Sequence, residues 1–407
     1  MDTLRFLQFS DLHFENTEHE WQWACSKEKA DIIEQEMRQV VEKIIELTKE
    51  REVEVILIPG NLFDAQTVSL DGIRFLQDCF RSLGGIPVFI APGNEDPYEP
   101  SSLYNSQFLR EIGMKAWPKN VHVFTEQPYS SVVLSEDKNV VITGIPHVGL
   151  RPEQERPLSL PLEKAEGGVN ILMFRGTCER DGSSDGQPTM PFSPEELHTH
   201  GFDYVAFGHP HIGEEIKDKK GRIRGAASGC PYGRKIDEIG EKTVILGEIA
   251  TGGIGPENME RIRVAPRTVH DVRVRCGGLK QIRALSQRTE KALHRGNVEP
   301  THLVLVRMEG KSNHELLDRV YEDSVKGMFF LTKMETSEVR SDFDFRKYAR
   351  GQDTERTTEG VFIQNMKELL DQPGSPRERR IREKALEWGL DALKDRKIEF
   401  GYEDQEI

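Results

Sequence analysis

Short apolar runs, each closed by a turn, set the rhythm of the first two-thirds of the chain. Leu4–Phe9, Val53–Ile58, Ile86–Ala91, Val121–Phe124, Ser131–Leu134, Val140–Ile145, Asn170–Met173, Tyr204–Phe207 and Thr243–Ile249 have the length and composition of strands. A different period lies between the first two. Ile32, Ile33, Met37, Val40, Val41, Ile44, Ile45 and Leu47 recur at helical spacing and predict a helix over Lys29–Arg51. A second helix is expected over Leu70–Leu83. A short one opens at Pro194-Glu195-Glu196-Leu197, with Ser193 as its cap. Alternating strands and helices predict a layered α/β domain over residues 1–265.

Past Val264 the pattern changes. His270–Val274 and Leu303–Met308 read as strands flanking a helix, Leu279–Arg295, which predicts a small α+β domain over 266–345. The segment 346–407 is highly charged. Amphipathic spacing over Thr358–Gln372 and Pro376–Asp395 predicts a pair of helices parted by a Pro-Gly-Ser turn, followed by an acidic tail at 403–406. Arg377, Arg379, Arg380, Arg382 and Lys384 make the second helix locally basic. Such a stretch is either a solvated face or a contact for DNA phosphates.

Composition narrows the class. With 36% apolar residues, the 407-residue chain can build sizeable cores. No apolar run approaches the roughly 20 residues of a membrane span, and the N-terminal MDTLRFLQFS reads as an immediate strand, not a signal peptide. Five cysteines without a C-x-x-C pair predict neither a disulfide framework nor a thiolate metal site. A soluble cytoplasmic protein is expected. The net charge of −14, from 55 basic and 69 acidic residues, argues against broad binding of nucleic acid by the isolated chain.

The turns that close the strands carry the chemistry. Asp11-Leu12-His13 follows the first strand and Gly60-Asn61 the second; Gly93-Asn94-Glu95-Asp96 follows the third, and Gly208-His209-Pro210-His211 follows Tyr204–Phe207. In α/β layers, loops past the strand C-termini are where ligand groups gather. An Asp-x-His triplet or a Gly-Asn pair alone is usually only a turn. Gly-His-Pro-His is a stronger signal, because two imidazoles two residues apart rarely serve packing. His147 also follows a strand and reads as a loop histidine. His198 and His200 read as a solvated helix end.

In order and context, the phrases LRFLQFSDLHF, VILIPGNLFD, VFIAPGNEDP, VNILMFRGT, FDYVAFGHPHIG and ASGCPYGRKIDEIGEKTVILGEI resemble the calcineurin-like metallophosphoesterases, and within them the SbcD-type DNA-repair exonuclease branch. The resemblance covers residues 1–265. It implies a four-layer β-sandwich domain, a small capping domain and a C-terminal helical pair. It also implies a two-metal phosphoesterase site in which Asp11, His13 and His211 hold the first divalent metal, with Mn favoured, while Asn94 and His209 serve the second. DNA and an SMC-like coiled-coil ATPase docked on the C-terminal helices are the implied partners, with a homodimer as a further possibility and no membrane.

Three positions depart from that pattern. The bridging Asp falls on Asn61, a candidate metal ligand through its amide oxygen; the change removes a negative charge between two dications. The catalytic His falls on Glu95, and a His ligand of the second metal falls on Arg175, whose guanidinium cannot ligate a metal. Two readings of Arg175 stand: it points inward as a phosphate clamp in place of the second ion, or it turns outward beside a decayed site. Glu95 is expected to pair with Arg175, with a catalytic acid role as the alternative. The Gly/Ser-rich loop 182–188 follows Arg175 and either covers the mouth of the site or is plain surface. At most one tightly bound ion is expected. The function that follows is a DNA-processing phosphodiesterase or exonuclease of weak activity; the alternatives are an inactive subunit that binds DNA or an ATPase, and a small-molecule phosphoesterase.

Overall fold

The computed structural model describes residues 3–15, 26–149, 155–179, 189–279, 281–312, 314–341 and 358–370, with scattered positions between 372 and 389. The loop 182–188, the acidic tail, Cys25 and most of the expected helix Pro376–Asp395 lie outside them. The chain forms two compact units, Met1–His270 and Asp271–Ile407.

The first unit holds two six-stranded sheets. One runs in the order β12 (Met259–Arg263), β11 (Thr243–Ile249), β1 (Leu4–Gln8), β2 (Val55–Ile58), β3 (Val88–Ile90), β4 (Val121–Val123). The other runs β5 (Ser130–Ser135), β6 (Val140–Ile145), β7 (Val169–Arg175), β8 (Tyr204–Gly208), β10 (Ile223–Ala227), β9 (Glu214–Lys217). Strands β1 to β4 pair in parallel, as do β6, β7 and β8, so their C-terminal ends and the loops after them lie at one end of each sheet. One apolar core joins the sheets: Leu4, Phe6, Val55, Leu57 and Phe89 from the first meet Ile142, Ile171, Met173, Tyr204 and Ala206 from the second. A polar stitch crosses it, for Tyr204 donates to Gln8 Oε1 at 2.6 Å and Gln8 Nε2 donates to the Ala226 carbonyl at 2.8 Å. Burying these polar groups is tolerable because each finds a partner.

Helix α1 (Lys27–Glu50) buries Ile33, Met37, Val40, Val41, Ile44 and Ile45, the stripe its spacing predicts, and α2 (Leu70–Arg81) packs beside it. Helix α3 (Ser106–Glu111) is capped by Asn105. Helix α4 (Pro194–His200) begins in a capping box: Ser193 Oγ accepts from the Glu196 amide while the Glu196 side chain accepts from the Ser193 amide.

The second unit has its own core around β13 (Val269–Arg275), α5 (Ile282–Arg295), β14 (Leu303–Ser312), α6 (His314–Ser324), β15 (Leu331–Glu335) and β16 (Val339–Ser341); β14 pairs in parallel with β15 and β16. Helix α7 (Thr358–Leu370) follows, with Ile363 and Met366 buried against Leu386. Among the described residues no helix is long and apolar enough to cross a membrane.

Candidate metal centre

The loops after β1, β2, β3, β7 and β8 supply the site. Four of its residues have left-handed backbones: Asp11 (φ 52°), His13 (φ 46°), Asn61 (φ 52°) and His209 (φ 99°). Such conformations cost about 1–3 kcal/mol each outside glycine and persist where the surroundings enforce them. Here adjacent loops lock together. The Asp11 amide donates to the Gly60 carbonyl and the His13 amide to the Asn61 carbonyl, both at 3.1 Å.

Asp11, His13 and His211 converge, with one ligand atom from each within 4.8 Å of the others. Both imidazoles are held from behind. Asp64 accepts from His13 Nδ1, and Glu238 accepts from His211 Nδ1 at 2.6 Å. A carboxylate on Nδ1 fixes the tautomer that leaves the lone pair on Nε2, the arrangement found behind metal-bound histidines. His13 Nε2 lies 3.9 Å from Asp11 Oδ1. Glu238 also accepts from the Arg234 amide at 2.8 Å and faces Lys242. Burial alone would raise its pKa, but the contacts with His211, Lys242 and the Arg234 amide outweigh that and bring it to about 2. Asp64 and Glu238 stand in the phrases VILIPGNLFD and ASGCPYGRKIDEIGEKTVILGEI, but only folding shows that they lie behind the histidines.

Asp96 stands in the Gly93-Asn94-Glu95-Asp96 turn, but its supporting role appears only in the fold. Its buried carboxylate accepts from the amides of Asn61 (3.0 Å), Leu62 (2.7 Å) and Gly93 (2.6 Å) and from the Tyr104 hydroxyl (2.7 Å), so it ties the loops after β2 and β3 together.

The positions that the resemblance assigns to a second metal and its bridge, Arg175 and Asn61, face the cluster differently. Arg175 is 4% exposed and points inward, its Nε donating to Asp11 Oδ1 at 3.1 Å. The outward reading is therefore wrong. Its stem passes so close to two loops that a Cβ on Gly60 would sit 2.8 Å from Arg175 Cβ, and one on Gly93 would sit 2.7 Å from Arg175 Cδ. Asn61 turns its Nδ2 toward His13 Nε2 and toward Asn94 Oδ1, each at 3.3 Å, while its Oδ1 accepts from the Glu95 amide at 3.2 Å. Where a bridging carboxylate would offer an oxygen, the amide presents a donor. The expected Glu95–Arg175 pair does not form. Glu95 is exposed and accepts from Asn94 Nδ2 at 3.0 Å, because Asp11 already holds the arginine in the interior.

Burial would raise the Asp11 pKa, yet Arg175, then His211, His13 and the His209 amide (2.8 Å from Oδ2), lower it to about 2. Burial, then Arg175, lowers the His209 imidazole to about 4, so that ring is neutral near pH 7. Among the described residues, Arg175 Nη1 and His209 Nδ1 are buried without a hydrogen-bond partner. His147 is buried, with its backbone paired to Pro92 and Tyr98. His198 and His200 lie in the last turn of α4, where the His200 ring meets the Leu158 carbonyl.

The donor set fits one divalent ion on Asp11, His13 and His211. It does not fit a second beside a buried guanidinium and an inward-facing amide nitrogen.

The Calcineurin-like phosphoesterase family model matches residues 4–213, more than half of the chain and the loops after β1, β2, β3, β7 and β8. The chain belongs to the calcineurin-like phosphoesterases. Members of this family use divalent metal, in keeping with the Asp11–His13–His211 cluster. A relative is the uncharacterized metallophosphoesterase YhaO of Bacillus subtilis (strain 168), 28% identical over 221 residues, which are 53% of this chain and 50% of that protein. The match thus spans about half the length of the curated relative. Among solved structures, TT1561 of Thermus thermophilus aligns with a TM-score of 0.36 at 14% identity, covering 65% of this chain and 100% of that one. A dimetal phosphatase from Danio rerio aligns with a TM-score of 0.37 at 10% identity, covering 64% and 99%.

Proposed function

We propose that this calcineurin-like phosphoesterase is an SbcD-like, DNA-processing nuclease subunit that uses one metal ion and one arginine. The ion pair between Arg175 and Asp11 carries the reading, since it sets a fixed cation where a second ion would stand. A divalent ion on Asp11, His13 and His211, with Mn favoured by the oxygen and imidazole donors, would supply Lewis acidity and an acidified water. The chain's own groups do the rest. Asp64 and Glu238 hold the histidines' lone pairs in place. Arg175 binds the phosphoryl group through the Nη nitrogens it does not spend on Asp11. Asn94 and neutral His209 border that oxyanion. Glu95, exposed beside Asn94, is the candidate acid for the leaving group.

The finer assignments belong to the same reading. They are the four-layer form of the sandwich around the two six-stranded sheets, a capping role for 266–345, and docking of a coiled-coil ATPase on helices within 346–407. Cys79, Cys178, Cys230 and Cys276 form no disulfide with one another, which supports a cytoplasmic setting, and a homodimer is compatible with it. Because the chain is acidic, DNA is held locally or within an assembly whose partner supplies positive charge.

A second reading is favoured by Asn61. With a donor turned into the site, the fold serves as an inactive scaffold for DNA or an ATPase. Hydrolysis of DNA ends with Mn separates the two. Weak turnover lost in His211→Ala supports the nuclease; turnover equal in both proteins, with the ion bound, leaves the scaffold.

A further inference from the structure

Arg175 is not the only guanidinium at the metal cluster. Arg234, from the loop after β10, meets the cluster at His211 and Asp64, whereas Arg175 meets it at Asp11. Its Nη2 is 3.5 Å from His211 Nε2, and its Nη1 is 4.0 Å from Asp64 Oδ2. Its side chain is 17% exposed. A guanidinium carries five N–H donors. Here one meets an imidazole lone pair at the limit of a hydrogen bond, one meets a carboxylate at the limit of an ion pair, and the buried Nε has no partner among the described residues. A largely buried cation so sparsely paired bears a large desolvation penalty. The backbone keeps it there, for the Arg234 amide is fastened to Glu238, the carboxylate that also orients His211.

Two features identify what would complete its shell. The His211 lone pair it faces is the one a divalent ion would take, and a dication there would repel a guanidinium from that atom. Arg234 then needs an anion, and the site already holds a second unsatisfied guanidinium donor in Arg175 Nη1. Two forks flanking one metal position suit a tetrahedral oxyanion, which can accept from both while it touches the ion.

We propose that Arg234, beside His211, contacts the phosphoryl group together with Arg175, beside Asp11, so that metal and phosphoryl anion bind cooperatively. This rests on the one-metal reading above. In the free protein Arg234 guards the His211 lone pair and opposes the metal. With a phosphoryl anion present, it turns to the anion and that opposition ends. By linkage, each ligand then strengthens the other.

Titration calorimetry with Mn and inorganic phosphate on the full chain tests this without reference to turnover. In the wild type, saturating phosphate should tighten Mn binding roughly tenfold, the scale of one charge-assisted hydrogen bond. Arg234→Ala should bind Mn alone more tightly than the wild type and lose most of the coupling. Arg234→Lys, a point charge without the fork, should fall between. Unchanged coupling in both variants, with wild-type circular dichroism, overturns the role of Arg234 and leaves the one-metal reading intact. A wild-type protein that binds neither Mn nor phosphate overturns both. If Arg234→Ala fails to fold, Arg234→Lys alone decides: full wild-type coupling counts against the proposal, because an ammonium cannot reproduce a two-donor grip.

Discussion

At the scale of single residues, the centre depends on which atoms are already engaged. Asp11 gives one oxygen to Arg175 and the other to the His209 amide, and His13 and His211 keep Nε2 because carboxylates occupy their Nδ1. Replacing Asn61 with Asp and Arg175 with His together should raise bound divalent metal from one ion per chain to two. Elemental analysis of the loaded double variant checks this, and a value still at one would show that these two positions do not exclude the second ion. His209 yields a pH dependence. Its folded pKa is about 4, against about 6.5 in an unfolded chain. Between those values the unfolded chain holds more protons, so stability is full above pH 6.5 and falls as the pH drops toward 4. The melting temperature of metal-free protein from pH 7 to 5 should fall, and less so in His209→Gln. The candidate ligand residues stand out in the sequence because they follow strands in order. Their supports do not. Asp64, Asp96, Glu238 and Arg234 lie within the motif phrases, but their partners show only when the loops meet, and the direction of Arg175 is fixed by Asp11, 164 residues away.

At the scale of elements, apolar runs marked the strands that the sheets bury on both faces, such as β2 and β7, every residue of which is buried. Strands without such a run were invisible. β9 (EEIK) and β12 (MERIR) lie at sheet edges and are mostly half-exposed, so their sequences show no buried face. The short α3 buries only Leu109. End signals were more legible than interiors at α4, where Ser193 and Pro194 announce the start. Ser193→Ala removes one half of the capping box and should cost about 1 kcal/mol, measured by denaturant unfolding. Metal binding should be unchanged, since no site residue lies on α4.

At the scale of the molecule, every residue of the centre lies in Met1–His270, a unit with its own core. A chain ending at His270 should therefore still bind the ion with wild-type stoichiometry. Loss of binding in a truncated chain that retains native circular dichroism would place part of the centre in the second unit. The account as a whole rests on one metal and not two. Counting Mn per wild-type chain by elemental analysis, after loading with excess ion and removal of what is free, tests it most directly. The arrangement of Arg175 and Asn61 predicts one ion per chain; two stoichiometric ions would contradict it.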